Sequence, residues 1–559
     1  MRHQVLVLAT CAVLSVGCGG GGGGGSSPPP PVPPVSSAAT YHYFTGTPSA
    51  SAVGGLYSVS SASPLTPATV NSNALASGGA GWRNSSVSTG TIDMTTGVVS
   101  NTHTYAAVFA ANGRLWKQYA DQAPAPVQIS NVTSISSGLG DGSVSASATD
   151  LCYMNTVPDF GVPENSVVIY GQAGANRNCG DADDVYSWTR LSANTSTPPT
   201  ALTNLPVAPV YNNAGAITNF LVINSATGAL EKRDASFSSV SATISAGPFP
   251  VTSNDKAIWL QHLSPTRILL HLPPPCSSLP CSIGGELRIV DAGTNTITGV
   301  LGTTANRAMW QFNYINGPFN VYFVGNDAAG TSVGSIQMFP IDGLATATTF
   351  HNGGAVRITS LYLTTNSVVY EANDGAGSFA ISSVPKTNGA TKLTLASSTA
   401  VGESLGVYGV SSTGYVYFDR FPANFSANRA EAVRDDNSGH VVYGTPNGAE
   451  WSGLNFPTTW NYFNTYSFLD KLVVAEYAPM ATDSAGATLS VVDAGTAAKN
   501  GIVVGTVPAG IQFLYGFSVG TRGLWSAYDG DMEIFYVDTA VAGSLTRVTT
   551  DSVGQQLVY

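Results

Sequence analysis

The chain has 559 residues, of which 10% are charged and 43% hydrophobic, with a formal net charge of −11. No Lys/Arg cluster is present to neutralise phosphates, which excludes nucleic acid as a partner and docking on anionic lipid through a basic patch. Val, Tyr, Phe and Trp spread along the chain exclude a wholly disordered protein and predict a large core beneath a surface of hydroxyl and amide groups.

The chain opens MRHQVLVLATCAVLSVGC, with Arg2 and His3 ahead of an apolar stretch over 5–16. That stretch, about a dozen residues, has the length of a signal-peptide core and is short for a membrane span. After Cys18 come glycines 19–25 and then SSPPPPVPPVSS. This is a flexible coil followed by a stiffer polyproline spacer. Ser15-Val16-Gly17-Cys18 resembles the bacterial lipobox, and the whole start is similar to that of Gram-negative lipoproteins. The resemblance implies cleavage before Cys18, lipid on that cysteine, and anchorage in the cell envelope. Residues 1–17 are then a signal peptide, 18–38 a tether and 39–559 the folded domain. Gly19 is not the Asp that in the enteric pattern retains lipoproteins at the inner membrane, so the resemblance favours the outer membrane. An ordinary secretory signal with a stray cysteine is the alternative.

Setting aside Cys11 and Cys18 leaves Cys152, Cys179, Cys276 and Cys281. An even remainder in an oxidising compartment predicts two disulfides. Cys276 and Cys281 bracket a short proline-rich loop and suit a local bridge, which leaves Cys152 for Cys179. Zinc is the rival reading, but the spacings do not suit a four-thiolate site and no histidine is close in sequence.

Beyond the tether, short apolar or alternating runs recur between turn clusters, the pattern of strands. In chain order they are YHYFTG with GGLYSVS, TYAAVFAANGRLWKQYA (104–120), VVIYG with DVYSWTRL, NFLVINS with ALEKRD, RILLHL with ELRIVDA, and NVYFVGN with SIQMFPID. The fullest unit is 358–395, where ITSLYLTT, SVVYEA, SFAISSVP and TKLTLA are four strands joined by tight turns. YVYFDR with RAEAVRD, KLVVAEY with ATLSVVDA, and LWSAYDG with MEIFYVDT follow. About ten units at a spacing of roughly 47–63 residues predict an all-β chain, a β-propeller of four-stranded antiparallel blades. Seven or eight blades is the competing count and tandem β-sandwiches the competing architecture. The first unit lacks an innermost strand and the chain ends GQQLVY, so the last segment is expected to pair beside the first unit and leave no open edge. The units, IFYVDT…LTRVTT (534–550) above all, resemble TolB-type and WD40-like propellers. That resemblance implies a fold and no activity.

Chemistry is sparse. Two G-x-S-x-G matches place Ser404 and Ser518 in strand-rich repeats, whereas a hydrolase elbow needs a strand turning sharply into a helix. The seven histidines are scattered singly, and His271, on RILLHL, reads as a packed or edge residue. Asp529, Asp531 and Glu533 alternate and would share one face of a strand, and Asp181, Asp183 and Asp184 cluster beside Cys179. Either group could offer oxygens to calcium, the one cofactor the sequence suggests; hairpin-turn residues are the competing reading. The segment 450–468, EWSGLNFPTTWNYFNTYSF, gathers Trp451, Trp460 and Tyr462, whose faces would suit sugar rings unless they fill the space between neighbouring sheets. The expected function is a non-catalytic propeller scaffold on a lipid tether, binding a protein or glycan partner. The alternative is an extracytoplasmic carbohydrate-active lyase or hydrolase with a carboxylate pair assembled at the centre.

Overall fold

The computed structural model describes the chain from Tyr41 to Val558 apart from residues 73–83, 130–150, 176–184, 250–258, 273–284, 304–312, 326–333, 478–485 and shorter loop stretches. Among the described residues the chain is all-β, with ten antiparallel sheets of four or five strands and one two-stranded pairing. The only helical turn among them is the 3-10 segment Pro163–Asn165.

Apart from the first in the chain, each sheet is a meander, and the unit expected over 358–395 shows why. Its strands are Arg357–Leu363, Ser367–Asn373, Phe379–Pro385 and Leu393–Ser397, paired in chain order. On the second strand Val368, Tyr370 and Ala372 pack toward Tyr322 and Val324 of the preceding sheet. Val369, between them, packs toward Val416 and Phe418 of the following one. A strand buried on both faces needs apolar residues at odd and even positions alike, so it reads as a continuous run. Each such side chain contributes about 1.5–3 kcal/mol by leaving water.

Numbered in chain order, sheet 2 runs from Asn84–Ser88 to Val127–Gln128, sheet 3 from Leu151–Val157 to Thr200–Ala201, and sheet 4 from Val207–Tyr211 to Val240–Ser245. Sheet 5 spans Trp259–His262 to Gly302–Thr303, sheet 6 Asn313–Ile315 to Thr348–Asn352, and sheet 7 is the unit just described. Sheet 8 spans Ser404–Val410 to His440–Val442, sheet 9 Ala449–Asn455 to Ala498–Thr506, and sheet 10 Gln512–Val519 to Thr546–Arg547. Apolar clusters join each sheet from 2 to 10 to the next. Sheet 10 in turn packs on sheet 1, where Leu524, Ile534 and Tyr536 meet Phe44, Tyr57 and Val59. Sheet 1 reaches sheet 2 through the Tyr43 hydroxyl, which donates to the Tyr119 carbonyl at 3.3 Å.

Sheet 1 is composite. Ser63–Ser72, Gly55–Ser60 and Tyr41–Thr47 supply three strands, and the fourth is Val553–Val558 from the far end of the chain. The pairing is antiparallel, with Tyr43 opposite Val558, Phe44 opposite Leu557 and Thr45 opposite Gln556. The last segment thus pairs with the first unit, as its sequence suggested.

A recurring Asp turns the third strand of several sheets into the fourth. The Asp291 carboxylate accepts the backbone N–H groups of Gly293 and Thr294 at 2.9 and 3.1 Å. Asp493 accepts that of Gly495 at 2.9 Å, and Asp538 that of Ala540 at 3.0 Å. This Asx geometry lets the turn reach left-handed backbone at Asn295 and Ala497. Phe237 occupies the same conformation at φ 58°, which a bulky residue adopts only at a cost of about 1–2 kcal/mol. Packing offsets that cost: its ring stacks on Phe220 at 4.2 Å and meets Trp188 of sheet 3 at 5.1 Å.

Removing residues 553–559 leaves sheet 1 with an open edge and strips the backbone partners of Tyr43–Thr45. Thermal unfolding in one buffer should show the truncated chain melting well below the full one, beyond the effect of terminal fraying. An unchanged transition would mean that the last strand adds no stability.

Candidate functional site

Two of the sequence-level candidates whose side chains the structure describes, Trp451 and Glu533, have structural roles. Trp451 is buried between sheets 8 and 9, edge-on to Tyr417 and Tyr443 at 5.3 and 4.8 Å and stacked toward Tyr408 at 6.3 Å. Its indole N–H donates to the Phe418 carbonyl at 3.3 Å. The glycan-platform expectation for Trp451 is therefore corrected: its faces are covered by tyrosines, and the ring fills the space between sheets. Trp460 lies on Thr459–Asn461, which pairs with Val98–Ser100 from the loop after the first strand of sheet 2. Its side chain, and Tyr462 altogether, lie outside the described residues, as do Cys18, Cys179, Cys276, Cys281, Asp181, Asp183, Asp184, Asp529 and Asp531. Cys152 stands on Leu151–Val157, its side chain likewise outside them.

Glu533, the third of the alternating acids, is fully buried in sheet 10. Its carboxylate faces the Arg547 guanidinium at 3.0 Å and accepts the Thr549 hydroxyl at 2.6 Å. A carboxylate so compensated has no need of a calcium ion, so the expected role of Glu533 is corrected to an ion pair within the sheet. Among the described residues no three His, Cys, Asp or Glu side chains gather as a metal cluster. Ser404 begins the strand Ser404–Val410 and Ser518 lies within Gln512–Val519; neither strand turns into a helix.

Of the described histidines, His42, His262, His271 and His351 are buried and His440 is exposed. Nε2 of His262 lies 2.6 Å from the Pro209 carbonyl, and His351 lies between the Gly389 carbonyl and the Tyr370 hydroxyl at 2.8 and 3.2 Å. Burial lowers His42, His262 and His271 to about 4, so all three are neutral at physiological pH. His440 pairs with the buried Glu431 carboxylate at 2.7 Å, which also receives Arg420 at 2.9 Å.

One group of acids stands apart, and the repeat places it. The fifth residue of each second strand in sheets 5, 7 and 8 is polar: His271, Glu371 and Asp419. By the two-residue period each faces the following sheet, as Leu269, Val369 and Tyr417 do two positions earlier. Glu371 accepts the backbone N–H of Val407, on the first strand of sheet 8, and Tyr362 donates to the carbonyl of that same Val407 at 3.1 Å. Asp419 repeats the contact one sheet on, accepting the backbone N–H of Trp451 at 3.3 Å. Burial raises both carboxyls, which the amides and, for Glu371, the hydroxyls of Ser360 and Thr359 partly oppose. Asp419 stands well above the usual carboxylate range because the charge of Glu450, beside Trp451, adds to the effect of burial. Asp419 and Glu450 are thus two interacting carboxyls beside Tyr408 and Trp451, and the charge of Glu450 favours the protonated form of Asp419. Such a pair can hold and release a proton, or accept hydrogen bonds from a hydroxylated ligand. Sequence reading passed over Asp419 because YVYFDR ends like any strand running into a turn. The recurrence of a polar residue at the fifth position was the signal available.

No protein-family model matches the chain, and no curated protein matches it. Among solved structures it is similar to prolyl oligopeptidase B from Galerina marginata, with 11% identity, a TM-score of 0.30, and coverage of 69% of this chain and 55% of that one. Oligopeptidase B from Trypanosoma brucei gives 11%, 0.33, 71% and 53%, and an uncharacterized protein from Listeria monocytogenes gives 10%, 0.32, 71% and 95%. The chain thus spans about half the length of these peptidases.

The sign of the Asp419 shift gives a test. A carboxyl raised in the folded state favours its protonated form there, so its ionisation weakens the fold as pH rises above the ordinary Asp value. Asp419→Asn should therefore melt higher than the native chain at pH 7.5, with the gap closing as pH falls toward 4. A lower melting temperature at pH 7.5 would show that the charged carboxylate stabilises the interface.

Proposed function

We propose that the ten sheets are blades of a single propeller, carried on a lipid anchor at Cys18, and that the protein is a non-catalytic scaffold of the cell envelope binding a protein or glycan partner. The observation that carries the reading is the completion of sheet 1 by Val553–Val558. Together with the return of the packing order from sheet 10 to sheet 1, it supports a sheet array with no free end, as in a propeller. Tandem sandwiches would give no reason for the first and last strands to share a sheet. Ten blades exceed the usual four to eight, and a wider ring presents more turns on each face. The buried places of His42, His262, His271, His351, Glu533 and Trp451 support binding over catalysis, since these side chains maintain the frame.

Class averages of the purified mature chain, imaged by electron microscopy, should show a ring of ten lobes; elongated particles with separate globules would overturn the propeller. The anchor has its own test. Cys18→Ala should abolish incorporation of labelled fatty acid and leave unprocessed precursor, and continued labelling would place the lipid elsewhere.

The Asp419–Glu450 pair favours a second reading, an enzyme acting on carbohydrate by acid–base chemistry. Incubation with envelope polysaccharides, read out as new reducing ends or unsaturated products, separates the two. Product formation lost in Glu450→Gln supports the enzyme, and its absence with the wild-type chain supports the scaffold.

A further inference from the structure

Sheets 1 and 10 meet along the seam beside the last strand, and a histidine lies within it. His42, on Tyr41–Thr47, shares its side of the strand with Phe44, which packs against Leu524, Ile534 and Tyr536. The imidazole is 1% exposed, and neither ring nitrogen has a hydrogen-bond partner. The Tyr536 ring stands edge-on to it with centroids 6.0 Å apart. The charged groups it faces are Arg522 and Asp538, both of sheet 10. These are already paired, guanidinium Nε to carboxylate at 3.0 Å, and the other side of the guanidinium reaches the Ser61 hydroxyl at 3.4 Å.

A proton on His42 would therefore place a second buried cation beside Arg522, with the one facing carboxylate engaged. Burying an uncompensated charge is costly. We propose that His42 is an acid-sensitive latch: its protonation releases sheet 1, with the last strand, from sheet 10. The inference goes beyond the binding reading and requires only the seam itself.

Burial first and Arg522 second hold the imidazole at about 4, against an ordinary value of 6.5, while Asp538 opposes them. The sign is that of a depressed base. The seam is fully stabilised above the ordinary histidine value and loses that stability as pH falls through 6.5 toward 4. His262 and His271 belong to sheet 5 and stay buried when only this seam opens.

The test places a thiol in the seam. Val59, fully buried there against sheet 10, is changed to Cys in the full chain with native thiols blocked, and labelled with a disulfide reagent that reacts in acid. Val369→Cys, between sheets 7 and 8, reports opening elsewhere. Labelling of Val59→Cys should rise roughly 30-fold from pH 7.5 to pH 5, following the two histidine values, while Val369→Cys stays protected. His42→Phe should remove the rise. Arg522→Gln frees Asp538 to meet the imidazolium and should move the opening to lower pH, which keeps the idea testable if His42→Phe misfolds. A rise that persists in His42→Phe, an Arg522→Gln opening at unchanged or higher pH, or exposure of Val369→Cys in step with Val59→Cys would each overturn the latch.

Discussion

Burial of the sheets on both faces is the constraint from which the rest of the structure follows. A sheet covered on one side alternates apolar with polar residues; here a second strand such as Ser367–Asn373 needs apolar side chains toward both neighbours. The scarcity of charge in the composition follows directly. Positions where other proteins put Lys and Glu are enclosed, and the surface left over consists largely of turns built from Ser, Thr, Asn, Asp and Gly. Several of the charges that do enter come compensated, as Glu431 does with Arg420 and His440, or Glu533 with Arg547.

The same constraint decided what could be read from the sequence. Runs such as NVYFVG, RILLHL and KLVVAE announce their strands because both faces demand the same residue types, and the turns between them carry Asn, Asp and Gly. The partnership of GQQLVY with the first unit was legible because a meander short of one strand leaves a vacancy that another segment must fill. Side-chain destinations were harder. Trp451 sits in a segment that reads as an aromatic loop, and only its neighbours Tyr417 and Tyr443, on another sheet, show that it is core. Glu533 aligned with two other acids on paper, but its true partner, Arg547, comes from the next strand. Phe237 breaks the local rule outright: nothing in a turn predicts a phenylalanine in left-handed backbone, because the reward lies in Trp188 of another sheet.

Backbone edges are managed as carefully as faces. The first strand of sheet 8 presents Val407 to Glu371, and that of sheet 9 presents Trp451 to Asp419. A side chain here does what a further strand would do in a wider sheet, satisfying a main-chain donor that would otherwise be buried without a partner. The cost is a carboxyl held away from its comfortable ionisation state. Asp419 pays most, since it must also tolerate Glu450. A contact that is structural in one sheet is thereby a site of chemical potential in the next, which is why the candidate site falls there.

The composite first sheet also orders events in time. A ribosome releases Tyr41–Thr47 long before Val553–Val558, so the strand that completes the first sheet comes after those of sheets 2 to 10. Sheets 2 to 10 can each form from neighbouring segments as they emerge, because their strands follow one another closely. Sheet 1 must wait with an unpaired edge until Val553–Val558 emerges, and an unpaired edge invites the wrong strand, including that of another copy. A proline-studded outer strand, Ser63–Ser72, gives partial protection on the far side of that sheet. On the inner side only the arrival of Val553–Val558 does so, and a stop anywhere before it yields a molecule whose first sheet never acquires its fourth strand.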